Sequence, residues 1–176
     1  MKSKASICGL YFGLFLLFFG AVTAYGQRDE KHFRNISVDK GLSQSTVFSI
    51  TQDTLGFIWM ATKDGLNRYD GKRFVVYRPV SANPKSIVSS YISYLYVDQE
   101  GQLWVGGNRG ISKYNYATDD FENYPLARTA GEWNISSMVE DGHKNLWASS
   151  SGGDLFSYSK TAKKFVAVNV DVRAYG

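Results

Sequence analysis

The stretch GLSQSTVFSITQDTLGFIWMATKDGLNRYDGKRFVVYR, residues 41–78, holds four short runs of strand-forming residues separated by turn residues. Residues 47–52 alternate apolar and polar side chains, the period of a strand, although both faces keep some apolar character. Asp53-Thr54-Leu55-Gly56 reads as a turn in which glycine supplies left-handed backbone. Residues 57–61 make a second run, residues 62–65 turn again, and residues 66–69 make a third. Asp70-Gly71 is a tight-hairpin signal before the fourth run, residues 73–78. Residues 79–86 then cross to the next unit.

The unit recurs twice. Trp59, Trp104 and Trp147 stand 45 and 43 residues apart. Six residues before each is an aspartate, Asp53, Asp98 or Asp141, and six before that a β-branched residue, Val47, Ile92 or Ile135. Tyr69, Tyr114 and Tyr158 follow each tryptophan by ten or eleven residues, and Phe74, Phe121 and Phe165 close the units. Five anchors held in step over three units establish a repeat, and a four-stranded period of about 40–50 residues is that of a propeller blade. The expected fold is all-β: a partial β-propeller of about three four-stranded antiparallel blades, at residues 41–78, 87–124 and 132–168, with 169–176 a tail or the start of another blade. The third unit departs in its turn at residues 149–153, one residue longer, and in Asp154, which stands where Gly65 and Gly110 do.

Ahead of the repeats, residues 1–26 read as a secretory signal, expected as a helix. Lys2 and Lys4 supply the positive end, residues 7–22 carry no charge, and small residues follow at Ala24 and Gly26, where cleavage is expected. The rival is a retained anchor, but the 16-residue apolar run falls short of a bilayer span of about 20 residues. The only cysteine, Cys8, lies in the signal, which excludes disulfides and thiolate metal sites from the processed chain. Removing Lys2 and Lys4 from 20 basic residues leaves 18 against 16 acidic ones, with the signs interspersed. That pattern gives no clustered basic face for nucleic acid. Residues 27–40 form an N-terminal segment in which residues 32–36 resemble the last strand of a unit, here read as a ring-closing strand, with an unpaired tail as the alternative.

The pattern Asp-x-x-Gly-x-[Ile/Leu]-Trp-x-[Ala/Gly]-Thr-x-x-Gly-Leu-x-x-Tyr-Asp, met nearly throughout by residues 53–70, resembles the two-component regulator propeller repeat. Residues 98–114 match it with Gly107 in place of the threonine, and residues 141–158 match it without the glycines at 144 and 154. The resemblance implies the periplasmic sensor of a hybrid two-component system, in which propellers precede a membrane helix and a histidine kinase core. It also implies recognition of glycan fragments. His32 and His143 lie beside a strand and in a turn, outside any kinase-like helix pattern, so the implied phosphotransfer lies outside this chain. Three blades with two apolar outer faces are expected to need further blades, from a longer chain or from other copies.

The anchors are expected to serve architecture. Asp53, Asp98 and Asp141 recur at turns, where an aspartate caps its own backbone, and Trp59, Trp104 and Trp147 recur as core. No cofactor and no metal are expected; the loops at 98–101 and 141–145 lack a dense set of oxygen ligands. A site belongs where the repeat breaks. Trp133 is the one tryptophan outside the pattern, and Lys63, Asn108 and Arg109 occupy the turns between second and third strands. In a propeller these turns share a face with the inter-blade connections, so the four residues are the candidate platform for an oligosaccharide. The alternatives are a propeller lyase or glycosidase and a protein–protein scaffold. An enzyme needs non-repeating acids, histidines or tyrosines converging on one face, and the non-repeating groups are only Glu132, His143 and Asp171.

Overall fold

The structure, a computed structural model, describes residue 33, residues 35–126 and residues 133–169. The chain divides into two compact units, Met1–Asn35 and Ile36–Gly176. The first lies almost wholly outside the described residues, and with it the expected signal segment; of residues 32–36, read as a ring-closing strand, 33, 35 and 36 are described and none is in a strand. The second carries twelve described strands: β1 (Ser49–Gln52), β2 (Ile58–Thr62), β3 (Gly65–Tyr69), β4 (Phe74–Tyr77), β5 (Ile92–Val97), β6 (Leu103–Gly107), β7 (Gly110–Asn115), β8 (Asp120–Pro125), β9 (Ile135–Glu140), β10 (Leu146–Ser150), β11 (Leu155–Ser159) and β12 (Lys164–Ala167).

They form three separate four-stranded sheets, each a meander with its strands in sequence order and all pairs antiparallel. The registers repeat with the sequence. Trp59 lies between Thr51 and Arg68, Trp104 between Tyr96 and Lys113, and Trp147 between Val139 and Ser157. Three four-stranded antiparallel sheets are the architecture that the repeat predicts.

The faces between consecutive blades make the core. Trp59, Ala61 and Leu66 of blade 1 pack on Ile92, Leu95, Val105 and Tyr114 of blade 2. Trp104, Ile111 and Tyr124 of blade 2 pack in the same way on Ile135, Met138, Ala148 and Phe165 of blade 3. Blades 2 and 3 approach closely at Gly106, where a Cβ would come within 2.6 Å of the Ile135 side chain. The blades are also tied through polar groups. Gly65 N–H donates to Ser90 O (2.8 Å), Leu95 N–H to Ser49 Oγ (3.1 Å), and Ser93 Oγ to Ile135 O (2.6 Å).

Two outer apolar faces were expected to meet water, and one is partly covered, although Ile50, across from Met60, stays 64% exposed. On the far side of blade 1, Leu42 of the lead-in segment is buried with Met60 and Tyr69, and Ile36 packs beside them. A 3-10 turn, Val38–Lys40, ending on Gly41 at φ 107°, folds this segment onto the blade. The far face of blade 3 is different: Trp147 is half-buried, and Val139 and Val166 are 55% and 44% exposed.

Candidate functional site

Each aspartate anchor closes a turn and holds its tryptophan. Asp53 Oδ1 accepts from the Leu55 and Phe57 N–H groups (both 3.0 Å), and its Oδ2 accepts from Trp59 Nε1 at 2.7 Å. Asp98 repeats this with Glu100 and Gln102 N–H (3.0 and 2.8 Å) and Trp104 Nε1 (2.8 Å). Asp141 does so with His143 and Asn145 N–H (2.8 and 2.9 Å) and Trp147 Nε1 (3.1 Å), and also takes Asn145 Nδ2 (2.9 Å). The Asn145 side-chain and backbone bonds and the Trp147 indole hold the Asp141 carboxyl well below the usual carboxylate range. In each blade the aspartate thus ties its own turn to the tryptophan indole, a link that turn chemistry alone does not predict. Where the third unit lacks a glycine, Lys144 takes the left-handed backbone (φ 60°) that Gly56 and Gly101 take at the equivalent points.

Trp133 is not a surface platform. It is 3% exposed, its ring meets Phe156 edge-on at 6.2 Å, and its Nε1 donates to Asp154 Oδ2 at 2.7 Å. Asp154 also takes Ser150 Oγ at 2.8 Å. Two departures from the repeat, a tryptophan and an aspartate, thus satisfy each other inside blade 3. The ligand role expected of Trp133 gives way to a packing role, because both its ring and its N–H are already used.

The face carrying the β2–β3 turns gathers a different group. Phe48, 40% exposed, and the half-buried Tyr91 lie with ring centroids 5.4 Å apart, tilted by 49°. The Lys63 ammonium sits 5.9 Å from the first ring and 5.6 Å from the second. A cation over an exposed ring is worth about 0.5–1 kcal/mol. Asn108 joins through its N–H, which donates to Tyr91 O (3.2 Å), and its Oδ1, which accepts from Ser89 Oγ (2.6 Å). Arg109 does not join this group. It is exposed beside a shallow hollow of about 370 Å3 with Val88, Pro125 and Leu126. Of the four expected platform residues, the fold therefore brings Lys63 and Asn108 to one aromatic pair, leaves Arg109 apart and buries Trp133.

Phe48 and Tyr91 were missed from the sequence because each reads as an ordinary strand residue. The signal lay in the superposed repeats. Ser93 and Ser136 stand where Phe48 does, and Thr46 and Asn134 stand where Tyr91 does. Both serines sit at register shifts in β5 and β9, whereas Phe48 lies just before β1 with its N–H donating to Ala61 O (2.9 Å). Of the acids and histidine considered for catalysis, His143 is exposed in the β9–β10 turn, and Glu132 and Asp171 lie outside the described residues.

At the other end of the blades an ionic cluster bridges blades 1 and 2. Asp119 Oδ1 accepts from Tyr77 Oη (2.5 Å), Tyr114 Oη (2.6 Å) and Arg68 Nη1 (3.2 Å). Burial pushes the Asp119 carboxyl up, but the Tyr114 and Tyr77 hydroxyls and the Arg68 charge outweigh it and hold it below the usual carboxylate range. The guanidinium also lies 4.9 Å from the Phe57 ring and 5.7 Å from Trp59.

Residues 41–64 and 86–109 match the model of the two-component regulator propeller. A 67-residue stretch, 38% of this chain, is 40% identical to histidine kinase P4 of Formosa agariphila and covers 5% of that protein. The extracellular domain of the hybrid two component system BT3049 from B. thetaiotaomicron superposes with a TM-score of 0.66 at 28% identity, over 77% of this chain and 20% of that one. The corresponding domain of BT4673 gives 0.66 at 20% identity, over 84% of this chain and 20% of that one. Virginiamycin B lyase from Staphylococcus aureus gives 0.55 at 14% identity, over 75% and 44% of the two chains, a likeness of fold alone. The chain thus spans one twentieth of the curated kinase and one fifth of the solved sensor domains it resembles. Its twelve described strands form three consecutive propeller blades, and residues 41–64 and 86–109, in and before the first two, are similar to the two-component regulator propeller.

Proposed function

We propose that this chain is part of the non-catalytic, extracytoplasmic sensor propeller of a hybrid two-component system, and that it binds a saccharide on the face built by Phe48, Tyr91, Lys63 and Asn108. The observation that carries the ligand reading is the aromatic pair, an exposed Phe48 and a half-buried Tyr91, at positions where the other repeats place small or polar side chains. A sugar ring lays its C–H face on an aromatic ring while its hydroxyls take donors at the edge. Lys63 Nζ supplies such a donor beside the rings, and Asn108, its Oδ1 taken by Ser89 Oγ, keeps its Nδ2 as a second. The matched repeats, and the likeness to extracellular domains of hybrid two-component systems, support the sensor reading and the extracytoplasmic location. Kinase and transcriptional outputs would be carried elsewhere.

A glycan array probed with the full chain and with Phe48→Ala/Tyr91→Ala tests this. The expected result is retention of a defined saccharide set by the native chain and a loss of at least tenfold in the double variant. No retained saccharide, or retention that the double variant keeps, refutes the proposed site.

A further inference from the structure

The end of the blades opposite Phe48 and Tyr91 shows a change of sign between one inter-blade gap and the next. In the gap between blades 1 and 2 the negative charge is built in: the Asp119 carboxylate receives two tyrosine hydroxyls and a guanidinium. In the gap between blades 2 and 3, Lys113 stands where Arg68 does, each paired across its sheet with the blade's tryptophan. Tyr124 and Tyr158 stand where Tyr77 and Tyr114 do, with their hydroxyls 3.2 Å apart. The counterpart of Asp119 is Lys163. The backbone is left-handed at both, φ 54° at Asp119 and 47° at Lys163, so the hairpin keeps its path while its side chain changes from anion to cation.

Two more lysines border this gap. Lys144 replaces the turn glycine, and Lys160 stands where Tyr116 does. Lys113, Lys144, Lys160 and Lys163 line a cavity of about 500 Å3 with Trp104 and Tyr158. Among the described residues, none of these four ammonium groups has a carboxylate within 4.0 Å. The acids around the gap do not neutralise them at contact: Glu122, across the sheet from Lys113, faces the Tyr124 hydroxyl and leaves that of Tyr158 toward the lysines. Asp98 is engaged by the Trp104 indole and its own turn, Glu140 Oε2 accepts from the Gln99 N–H at 2.8 Å, and Glu100 is exposed.

We propose that the gap between blades 2 and 3 is an oxyanion site, in which a carboxylate or sulfate group of a ligand takes the position that the Asp119 carboxylate holds in the preceding gap. Lys113 and Lys163 supply the opposing charges, and a tyrosine hydroxyl supplies the hydrogen bond. The molecule thus contains its own template for the complex, one blade away. The site lies at the other end of the blades from the saccharide face proposed above and stands or falls separately.

The full chain is melted in increasing D-glucuronate or methyl sulfate, with chloride replaced at constant ionic strength. The expected result is a saturable rise in Tm, with half-saturation at least fivefold weaker in Lys113→Gln/Lys163→Gln. Lys163→Asp tests the template directly. It returns a carboxylate to the hairpin, so it melts above the native chain in chloride and no longer responds to either anion. A response to glucuronate alone identifies a carboxylate ligand, to methyl sulfate alone a sulfate ester, and to both a general oxyanion site. A native chain with no saturable response, a response retained by either variant, or a Lys163→Asp chain that melts no higher than the native one overturns the proposal.

Discussion

Replacing Trp59 with phenylalanine separates the architectural reading of the anchors from any other. Trp59 is fully buried, and its Nε1 donates to the Asp53 carboxylate at 2.7 Å. Phenylalanine keeps most of the ring and loses that bond. A hydrogen bond to a charged acceptor is worth about 1.5–3 kcal/mol. The smaller ring leaves a void of roughly 40 Å3, which at about 24 cal/mol per Å3 adds about 1 kcal/mol. The expected loss is therefore about 3 kcal/mol. With a urea m-value of about 2 kcal/mol per M, the unfolding midpoint falls by about 1.5 M. Trp147→Phe is the internal control. That tryptophan is half-buried, its bond to Asp141 is 3.1 Å long, and Asp141 Oδ2 keeps the Asn145 Nδ2 donor at 2.9 Å. Its loss should stay below about 1 kcal/mol. Urea titration followed by far-UV circular dichroism reads both without relying on tryptophan emission. Equal shifts for the two variants, or a Trp59→Phe shift below about 0.3 M, would refute the claim that inter-blade burial sets the worth of these anchors.

Three further outcomes follow from the same geometry. Gly106→Ala places a Cβ 2.6 Å from the Ile135 side chain and should cost about 1–3 kcal/mol by overpacking, whereas Gly142→Ala meets nothing within 4 Å and should stay within about 0.5 kcal/mol; thermal melts compare them. Asp119 and Asp141 have carboxyls held below their ordinary values, so they contribute stability that is present above the unfolded pKa of about 4 and lost as pH falls through the folded values. Midpoints measured from pH 5 down to pH 2 should fall, and fall less steeply in Asp119→Asn. Trp133→Phe should lose about 1.5–3 kcal/mol with the bond to Asp154, while binding on the Phe48–Tyr91 face stays as in the native chain.

The fold was legible because five anchors recur and because the strand and turn chemistry of each unit is plain. The bond between Asp53 and Trp59 was not. The residues are six apart, and they meet only once the Asx turn at 53–57 has folded the start of β2 back over the aspartate. The candidate site was half legible. Looking for breaks in the repeat singled out Trp133, but that break is answered by another, Asp154, and the two cancel inside the blade. Phe48 and Tyr91 break the pattern with no such answer, yet each fits a strand and draws no notice unless the repeats are superposed. A departure from a repeat marks a site only when nothing else in the scaffold has changed to meet it. Lys163 needed the structure as well, since its meaning rests on sharing a backbone path with Asp119.

The aspartate–tryptophan bond has a consequence for how such a chain is made. Both partners, and the turn that joins them, belong to one blade and to seven consecutive residues, 53–59. Each blade therefore carries its own fastening and waits on no distant segment to tie it. Contacts this local form early and fast, so a polypeptide emerging from a ribosome or a translocation pore can finish one wedge before the next arrives. Wedges can then be gained or lost in number over evolutionary time, each bringing its clasp with it.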